Sequence, residues 1–572
     1  MLKPVTRMRD HWFFGPVSKC RGIYFQVILA SVLINIFALA SSLYIMTVYD
    51  RVIPNNATES LIALTIIILV VVAFDFIMKI VRGNFVDRAS LKIDRRVSTA
   101  LFDRISRHDT TMSKRATGAL SSTVRDFDLL KDAFGSASFT VFADLPFILL
   151  FLWVLYIIGG PVAAVPGLIV PLVILFGLIL QPIIRRMTEI SMTQGKSKQA
   201  VMVEMIGALE TVKTTQGNSL LRNRWLNSVL NQGQTQAKTK LTSQLASYFA
   251  QLGQQLSQIG IVVYGVYLIA AGNLTMGQLI ACVILSGRTM APLGQITGLL
   301  GRMNQAISAY KGLGEVLGGT TDEETRSGYD ERKTLKGSIE FKNVTFTYEE
   351  EPEPVLNDIS VKIEEGDHVA ILGRIGSGKT SLLRLICGLH PPDKGVVLVD
   401  NADIRQIRPQ DVRRNIGTVL QNPILFSGTI RDNLLMGKPD ATDEELLYAA
   451  NVSGAANFIG ILPGGFDFPL SERGQELSAG MRQSIAIARA MISRPNILLM
   501  DEPTASMDNA TEAHLVGKLQ EALEGVTSVF VTHRGGMVQL ANELVVMDKG
   551  KIVMAGPKEQ VLAKMKEAQN EK

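Results

Sequence analysis

Val369-Ala370-Ile371-Leu372-Gly373-Arg374-Ile375-Gly376-Ser377-Gly378-Lys379-Thr380 is a short apolar run ending in a glycine-rich loop, and Ser381-Leu382-Leu383-Arg384-Leu385-Ile386 continues it with helical apolar spacing. Strand, loop and helix start in that order are the context a phosphate-binding loop requires. Gly376 and Gly378 free the backbone to turn N–H groups toward phosphate oxygens, and the helix N-terminus adds a favourable dipole. Lys379 suits the β and γ phosphates and the Thr380 hydroxyl suits Mg²⁺. Gly373, Arg374, Ile375, Gly376, Ser377, Gly378, Lys379, Thr380 and Ser381 therefore form the candidate nucleotide cradle.

Further along, Ile497-Leu498-Leu499-Met500-Asp501-Glu502-Pro503 is a buried-strand run that ends in two carboxylates. Asp501 suits a metal held partly through water, and Glu502 suits a general base for an attacking water. Between the two motifs, Leu477-Ser478-Ala479-Gly480-Met481 opens an apolar-periodic helix. A Ser hydroxyl and a Gly amide at a helix start make an anion site, one that need not serve the phosphate loop of the same chain.

The order GRIGSGKT, Gln421, LSAGM, ILLMDEP, Ser506-Met507-Asp508 and His533 resembles the nucleotide-binding domain of ABC transporters. The resemblance implies ATP and Mg²⁺ as cofactors and two domains sandwiching two ATP molecules. Each ATP would lie between the phosphate loop of one subunit and the signature helix of the other. One copy of each motif then implies a homodimer. It further implies that Tyr348 stacks on adenine, that Gln421 contacts Mg²⁺ and the attacking water, and that Asp508 belongs to a loop communicating across the dimer. Ser478 and Gly480 would touch the partner's phosphates, and His533 the γ-phosphate, beside Glu502 as catalytic residue. The signature departs from LSGGQ at Ala479 and Met481, which predicts a working but slow ATPase.

The first half holds six apolar stretches, approximately Ile23 to Val48, Leu61 to Val81, Phe139 to Ile158, Val162 to Ile184, Leu256 to Ala271 and Met276 to Leu293. Most approach the roughly 20 residues that span hydrocarbon. The last pair is the least apolar, with Gln258 and Arg288 in or beside it. The segments from Arg82 to Phe139 and from Arg185 to Gln251 are rich in Lys and Arg, whereas the opposite loops carry only Arg51. By the positive-inside rule these basic segments and both termini are cytoplasmic. Helical spacing in the basic segments predicts cytosolic extensions of the membrane helices, with tips near His108 to Gly118 and Thr211 to Ser219. Asp75 and Lys79, four apart, predict an ion pair with Lys79 snorkelling. Asp144 and Arg288 have two readings, a water-filled path or an interhelical contact.

The expected fold is a membrane α-helical bundle of six transmembrane helices joined to a cytosolic α/β domain with a phosphate loop. Its expected division is 1–22 as a short cytoplasmic segment, 23–317 as the membrane domain, 318–336 as linker and 337–572 as the ATP-binding domain. The net charge of +5 is accounted for by the cytoplasmic loops and gives no ground for nucleic-acid binding. Cys20, Cys282 and Cys387 are too widely spaced for a disulfide framework or a zinc site.

The stretches His11-Trp12-Phe13, Asn35-Ile36-Phe37-Ala38-Leu39-Ala40, Tyr49-Asp50-Arg51-Val52-Ile53-Pro54, Asp144-Leu145-Pro146-Phe147 and Ala281 to Arg288 through Ala291-Pro292-Leu293 resemble bacterial type I secretion permease/ATPases. The branch is the one that exports large RTX adhesins and toxins. It implies an inner-membrane protein with bound lipids, an unfolded protein cargo, a periplasmic membrane-fusion adaptor and an outer-membrane channel. Many relatives carry an N-terminal peptidase-like domain, for which the stretch ahead of the first span is too short. A lipid or small-molecule exporter is the alternative reading, and a regulatory membrane protein that binds ATP without turnover is a third.

Overall fold

The computed structural model describes residues 13–106, 126–131, 137–215, 217–317, 329–348 and 351–570. These fall into two compact units, one helical and ending at Leu317, the other built around two sheets.

The helical unit contains α1 (Arg21–Thr47), α2 (Thr58–Ser106), α3 (Ala137–Asp144), α4 (Phe147–Gly159), α5 (Ala164–Gly207), α6 (Leu209–Thr214), α7 (Asn218–Ala270) and α8 (Met276–Leu317). By length and composition, 5 helical runs among the described residues can cross a membrane, and one of them, Thr140–Gly207, holds two of the six apolar stretches. That run turns at Gly159-Gly160, where Gly160 has φ +53°, and a single 3₁₀ turn, Gly160–Ala163, leads into α5. All six stretches are thus helical, the third being interrupted by a turn at Leu145-Pro146 between α3 and α4. α2, α5 and α7 run well past their apolar stretches, as the helical spacing of the basic segments predicts. The second tip region is broken into the short α6 and a non-helical Thr215. The first, near His108 to Gly118, lies outside the described residues.

Lipid offers no hydrophobic drive for apolar helices to associate, so close approach and polar contacts decide which faces meet. A side chain at Gly253 would strike Val173 at 2.9 Å, and one at Gly260 would strike Val165 at 2.8 Å, which lets α7 lie against α5. Ser257 and Ser286 share a buried 2.8 Å hydrogen bond between α7 and α8. Asp144 accepts from Arg82 Nη1 at 3.0 Å and from Asn35 Nδ2 at 3.2 Å, tying α3 to α2 and α1. Lys79 pairs with Asp75 at 2.6 Å, as expected. Asp50 accepts from Thr275 Oγ1 at 2.7 Å and Gly277 N–H at 2.8 Å, so the α1–α2 connection caps the start of α8. A cavity of about 340 Å³ is lined by Asn35, Asp75, Arg82, Asp144 and Arg288 among others. Asp144 therefore makes the interhelical contact that is one of its two readings, and it lines this cavity together with Arg288.

The second unit has an antiparallel sheet of order β2-β1-β4-β5, formed by β1 (Ile339–Phe346), β2 (Leu356–Ile363), β4 (Lys394–Val399) and β5 (Ala402–Asp403). The larger sheet has order β12-β11-β3-β10-β9-β6: β3 (His368–Gly373), β6 (Ile416–Val419), β9 (Ile497–Asp501), β10 (Thr527–Val531), β11 (Glu543–Asp548) and β12 (Lys551–Pro557), of which only β12 runs antiparallel. A small ribbon pairs β7 (Gly428–Thr429) with β8 (Pro469–Leu470). The central strands are apolar on both faces, and every residue of β9 and β10 is buried, as a covered parallel sheet demands. Pairing sets Ile371 opposite Val531 and Val531 opposite Asp501. The ends of β3, β10 and β9 consequently lie in one row.

Candidate nucleotide site

That row positions the chemistry. The loop after β3 leads into α9 (Lys379–Ile386), β9 delivers Asp501 and Glu502, and β10 delivers His533 two residues past its end. Parallel sheets bind ligands at such carboxyl ends. A cavity of about 950 Å³ is lined there by residues 374–381, Gln421, Asp501, Glu502 and His533, together with Val355 and Val531.

Gly376 and Gly378 adopt φ +81° and +95°, conformations closed to ordinary side chains, and a Cβ on Gly378 would stand 2.9 Å from the Val355 carbonyl. Arg374 and Ile375 line the cavity with exposed side chains, Ile375 being 99% exposed. Lys379 Nζ folds onto the carbonyls of Gly373 at 2.6 Å and Arg374 at 2.9 Å. Burial lowers its pKa, against the opposing pull of Glu502 and Asp501. Ser377 Oγ is buried with no hydrogen-bond partner, an orphan that a phosphate oxygen would satisfy.

Thr380 Oγ1 donates to Asp501 Oδ2 at 2.7 Å, which brings a hydroxyl and a carboxylate together where a hard cation would take oxygen ligands. Asp501 is raised above the usual carboxylate range by burial, with Thr380 opposing. Glu502 sits at φ +48°, rare for a residue with a Cβ, and its N–H is pinned to Val531 O at 2.8 Å. His533 Nε2 lies 3.9 Å from Glu502 Oε1.

Five expected site residues do not line this cavity. Gly373 ends β3 and enters the site only through the carbonyl that Lys379 holds. Tyr348, just past β1, shares a 3.1 Å hydrogen bond with Ser381 Oγ and accepts another from Arg384 Nη1, with its ring edge-on to Phe346 and His390. Ser478 caps α10 (Ala479–Met491) by accepting from Met481 N–H at 3.2 Å, and Gly480 lies in that helix's first turn. Asp508 caps α11 (Asn509–Ala522) by accepting from Thr511 N–H at 2.7 Å, which lowers its pKa. Val355 and Val531 are lining residues that no motif announces. Their place follows only from strand pairing.

A parallel-sheet domain with this phosphate loop, attached to a bundle of membrane-length helices, defines an ATP-powered membrane transporter. Residues 356–505 match the family model described as ABC transporter, and residues 24–293 match the ABC transporter transmembrane region. Over 96% of its length the chain is 30% identical to the exotoxin translocation ATP-binding protein PaxB of Pasteurella aerogenes, covering 77% of that protein. It is 29% identical to the Toxin RTX-I translocation ATP-binding protein of Actinobacillus pleuropneumoniae, covering 78% of it. The fold matches the structure of a bacterial Atm1-family ABC exporter with ATP bound, with TM-score 0.87 and 22% identity over 95% of this chain and 96% of that one. The chain belongs to the ABC transporter family. It is an exporter that hydrolyses ATP, a multi-pass protein of the bacterial inner membrane with its ATP-binding domain in the cytosol.

Proposed function

We propose that the transporter exports an unfolded protein of the RTX adhesin or toxin class, as the ABC component of a type I secretion system. The observation that carries this reading is similarity along nearly the whole chain, membrane half included, to proteins named for toxin translocation. A periplasmic adaptor and an outer-membrane channel would complete the conduit. The division proposed from the sequence, 23–317 for the membrane and 337–572 for ATP, is retained.

In the proposed mechanism two copies form a homodimer. Lys379, the loop amides and the hydroxyls of Ser377 and Ser381 hold the phosphates. Tyr348 supports the adenine. Thr380, Gln421 and Asp501 would hold Mg²⁺, whose charge when bound neutralises that of the β and γ phosphates. Glu502 takes a proton from the attacking water while His533 steadies the γ-phosphate. Ser478, Gly480 and Asp508 lie outside the cavity of their own chain, which supports their serving the partner's nucleotide. ATP binding then closes the two domains, cytosolic helix tips pass the motion to the bundle, and hydrolysis reopens it.

The test is ATP hydrolysis by purified protein in lipid, beside Glu502→Gln, with and without the C-terminal segment of a repetitive secreted protein. Hydrolysis lost in the variant and altered by the segment supports the proposal. Indifference to the segment combined with stimulation by small hydrophobic compounds would replace it with a lipid or small-molecule exporter.

A further inference from the structure

The loop after Glu502 is closed partly by its own backbone. Ala505 N–H donates to Glu502 O at 3.2 Å and Met507 N–H to Thr504 O at 3.0 Å. The carbonyls of Ala505 and Met507 are held by one distant side chain: Arg534 Nη2 donates to Ala505 O at 3.2 Å and Nη1 to Met507 O at 2.9 Å. The same Nη1 meets Glu512 Oε2 at 2.9 Å. Ser506 O, the carbonyl between them, faces the signature helix, since a Cβ on Gly480 would stand 3.1 Å from it. One guanidinium therefore fixes the segment that runs into Asp508 and the start of α11.

The partners make this arrangement specific. Glu512 is 7% exposed and its Oε1 has no hydrogen-bond partner, so Arg534 is what offsets its buried charge. A Cβ on Gly536 would lie 2.7 Å from Oε1, which leaves that carboxylate little room to turn. Arg534 itself follows His533, and its own N–H is held by Thr532 Oγ1 at 3.0 Å. A planar fork can reach two carbonyls and a carboxylate at once, whereas an ammonium is a point charge.

We propose that Arg534 is a positioning residue: it sets the loop of Ser506 and Asp508 for the ATP site of the partner subunit, while its neighbour His533 serves the site of its own chain. Each subunit thereby links the geometry of one site to that of the other. The inference rests on the homodimer reading above.

Mixed dimers purified through two affinity tags test it by single-turnover hydrolysis of γ-labelled ATP with Mg²⁺. The reference pairs a wild-type chain with a Glu502→Gln chain, leaving one live site. Placing Arg534→Gln on the Glu502→Gln chain alters the loop that faces the live site, and the expected rate falls about 10- to 100-fold, as for a small misplacement of a reacting group. Placing Arg534→Gln on the other chain leaves that facing loop intact, and the expected rate equals the reference. Nucleotide affinity stays within about twofold in both, because positioning acts on the transition state. Should Arg534→Gln chains fail to assemble, Arg534→Lys in the same two arrangements gives the same asymmetry. Equal rates in both arrangements, or slowing only in the second, overturn the proposal. A wild-type homodimer without turnover overturns the catalytic reading of the site, and the proposal with it.

Discussion

Asp501→Asn sets folding against function at the end of β9. The carboxylate is 2% exposed and sits beside Glu502, with a 2.7 Å hydrogen bond from Thr380. Asparagine keeps the shape and an acceptor for Thr380 but has no charge to bury. Exchanging a charge-assisted bond for a neutral one gives up about 1 kcal/mol, and relieving a buried ionised carboxylate recovers about 3 kcal/mol. The nucleotide-free variant is therefore more stable by about 2 kcal/mol, which slows amide hydrogen exchange across β9 about 30-fold. The sign of the pH dependence follows from the raised pKa of Asp501, caused first by burial. A carboxyl whose pKa rises on folding favours the folded state at low pH and loses that contribution as pH climbs through the folded value. The gap between variant and wild type therefore widens with rising pH and closes on acidification. Saturating ATP with Mg²⁺ at 100 times its dissociation constant adds about 2.7 kcal/mol to the wild type, and far less to the variant, so the order equalises or reverses. Faster exchange in the nucleotide-free variant than in wild type would refute the reasoning.

Gly378→Ala places a methyl at φ +95° and 2.9 Å from a backbone oxygen; the left-handed conformation alone costs about 1–2 kcal/mol, so calorimetry should show ATP binding weakened at least tenfold, and unchanged affinity would count against the cradle. Arg82→Ala and Asp144→Ala each leave a charge unpaired among membrane helices and lower thermal stability by about 3 kcal/mol. The double variant should lose less than the sum, whereas strict additivity would show that the 3.0 Å pair carries no coupling. Ala479→Gly with Met481→Gln restores the fuller signature, and steady-state ATP hydrolysis should rise by about tenfold, a barrier change of about 1.4 kcal/mol. A rate that stays level would remove the basis for expecting a slow enzyme.

The parts legible in the sequence share a property: each is decided within one turn or one strand. The glycine-rich loop, the carboxylates closing β9 and the Gly159-Gly160 break between two spans are local, so residue order alone exposes them. What stayed hidden joins distant positions. Arg82 meets Asp144 from another helix, Asp50 caps α8 from the π-helical turn Val48–Val52 that continues α1, and Arg534 reaches back to Ala505. Each side chain had several chemically acceptable partners, and only packing chooses among them. Val355 enters the cavity lining for the same reason, since its neighbours are set by the pairing of β2 with β1 rather than by any motif.

On the proposed dimer, Ser478 and Asp508 would serve a site shared between copies from the starts of two helices. Both already cap their own helices, which would compete with a ligand if capping exhausted them. It does not: the Ser478 hydroxyl that accepts from Met481 N–H still has its O–H to donate to a phosphate oxygen, and the Asp508 carboxylate holding Thr511 N–H keeps lone pairs for an N–H or O–H donor of the partner chain. The cap fixes each side chain in place. In that dimer Ser478 could then engage a partner's phosphate, and Asp508 a partner's donor, without unwinding either helix. On the proposed dimer, closure therefore asks for movement of whole domains while the contacting groups remain as they are in the separate chain, which is the form of preorganisation that keeps the cost of assembly low.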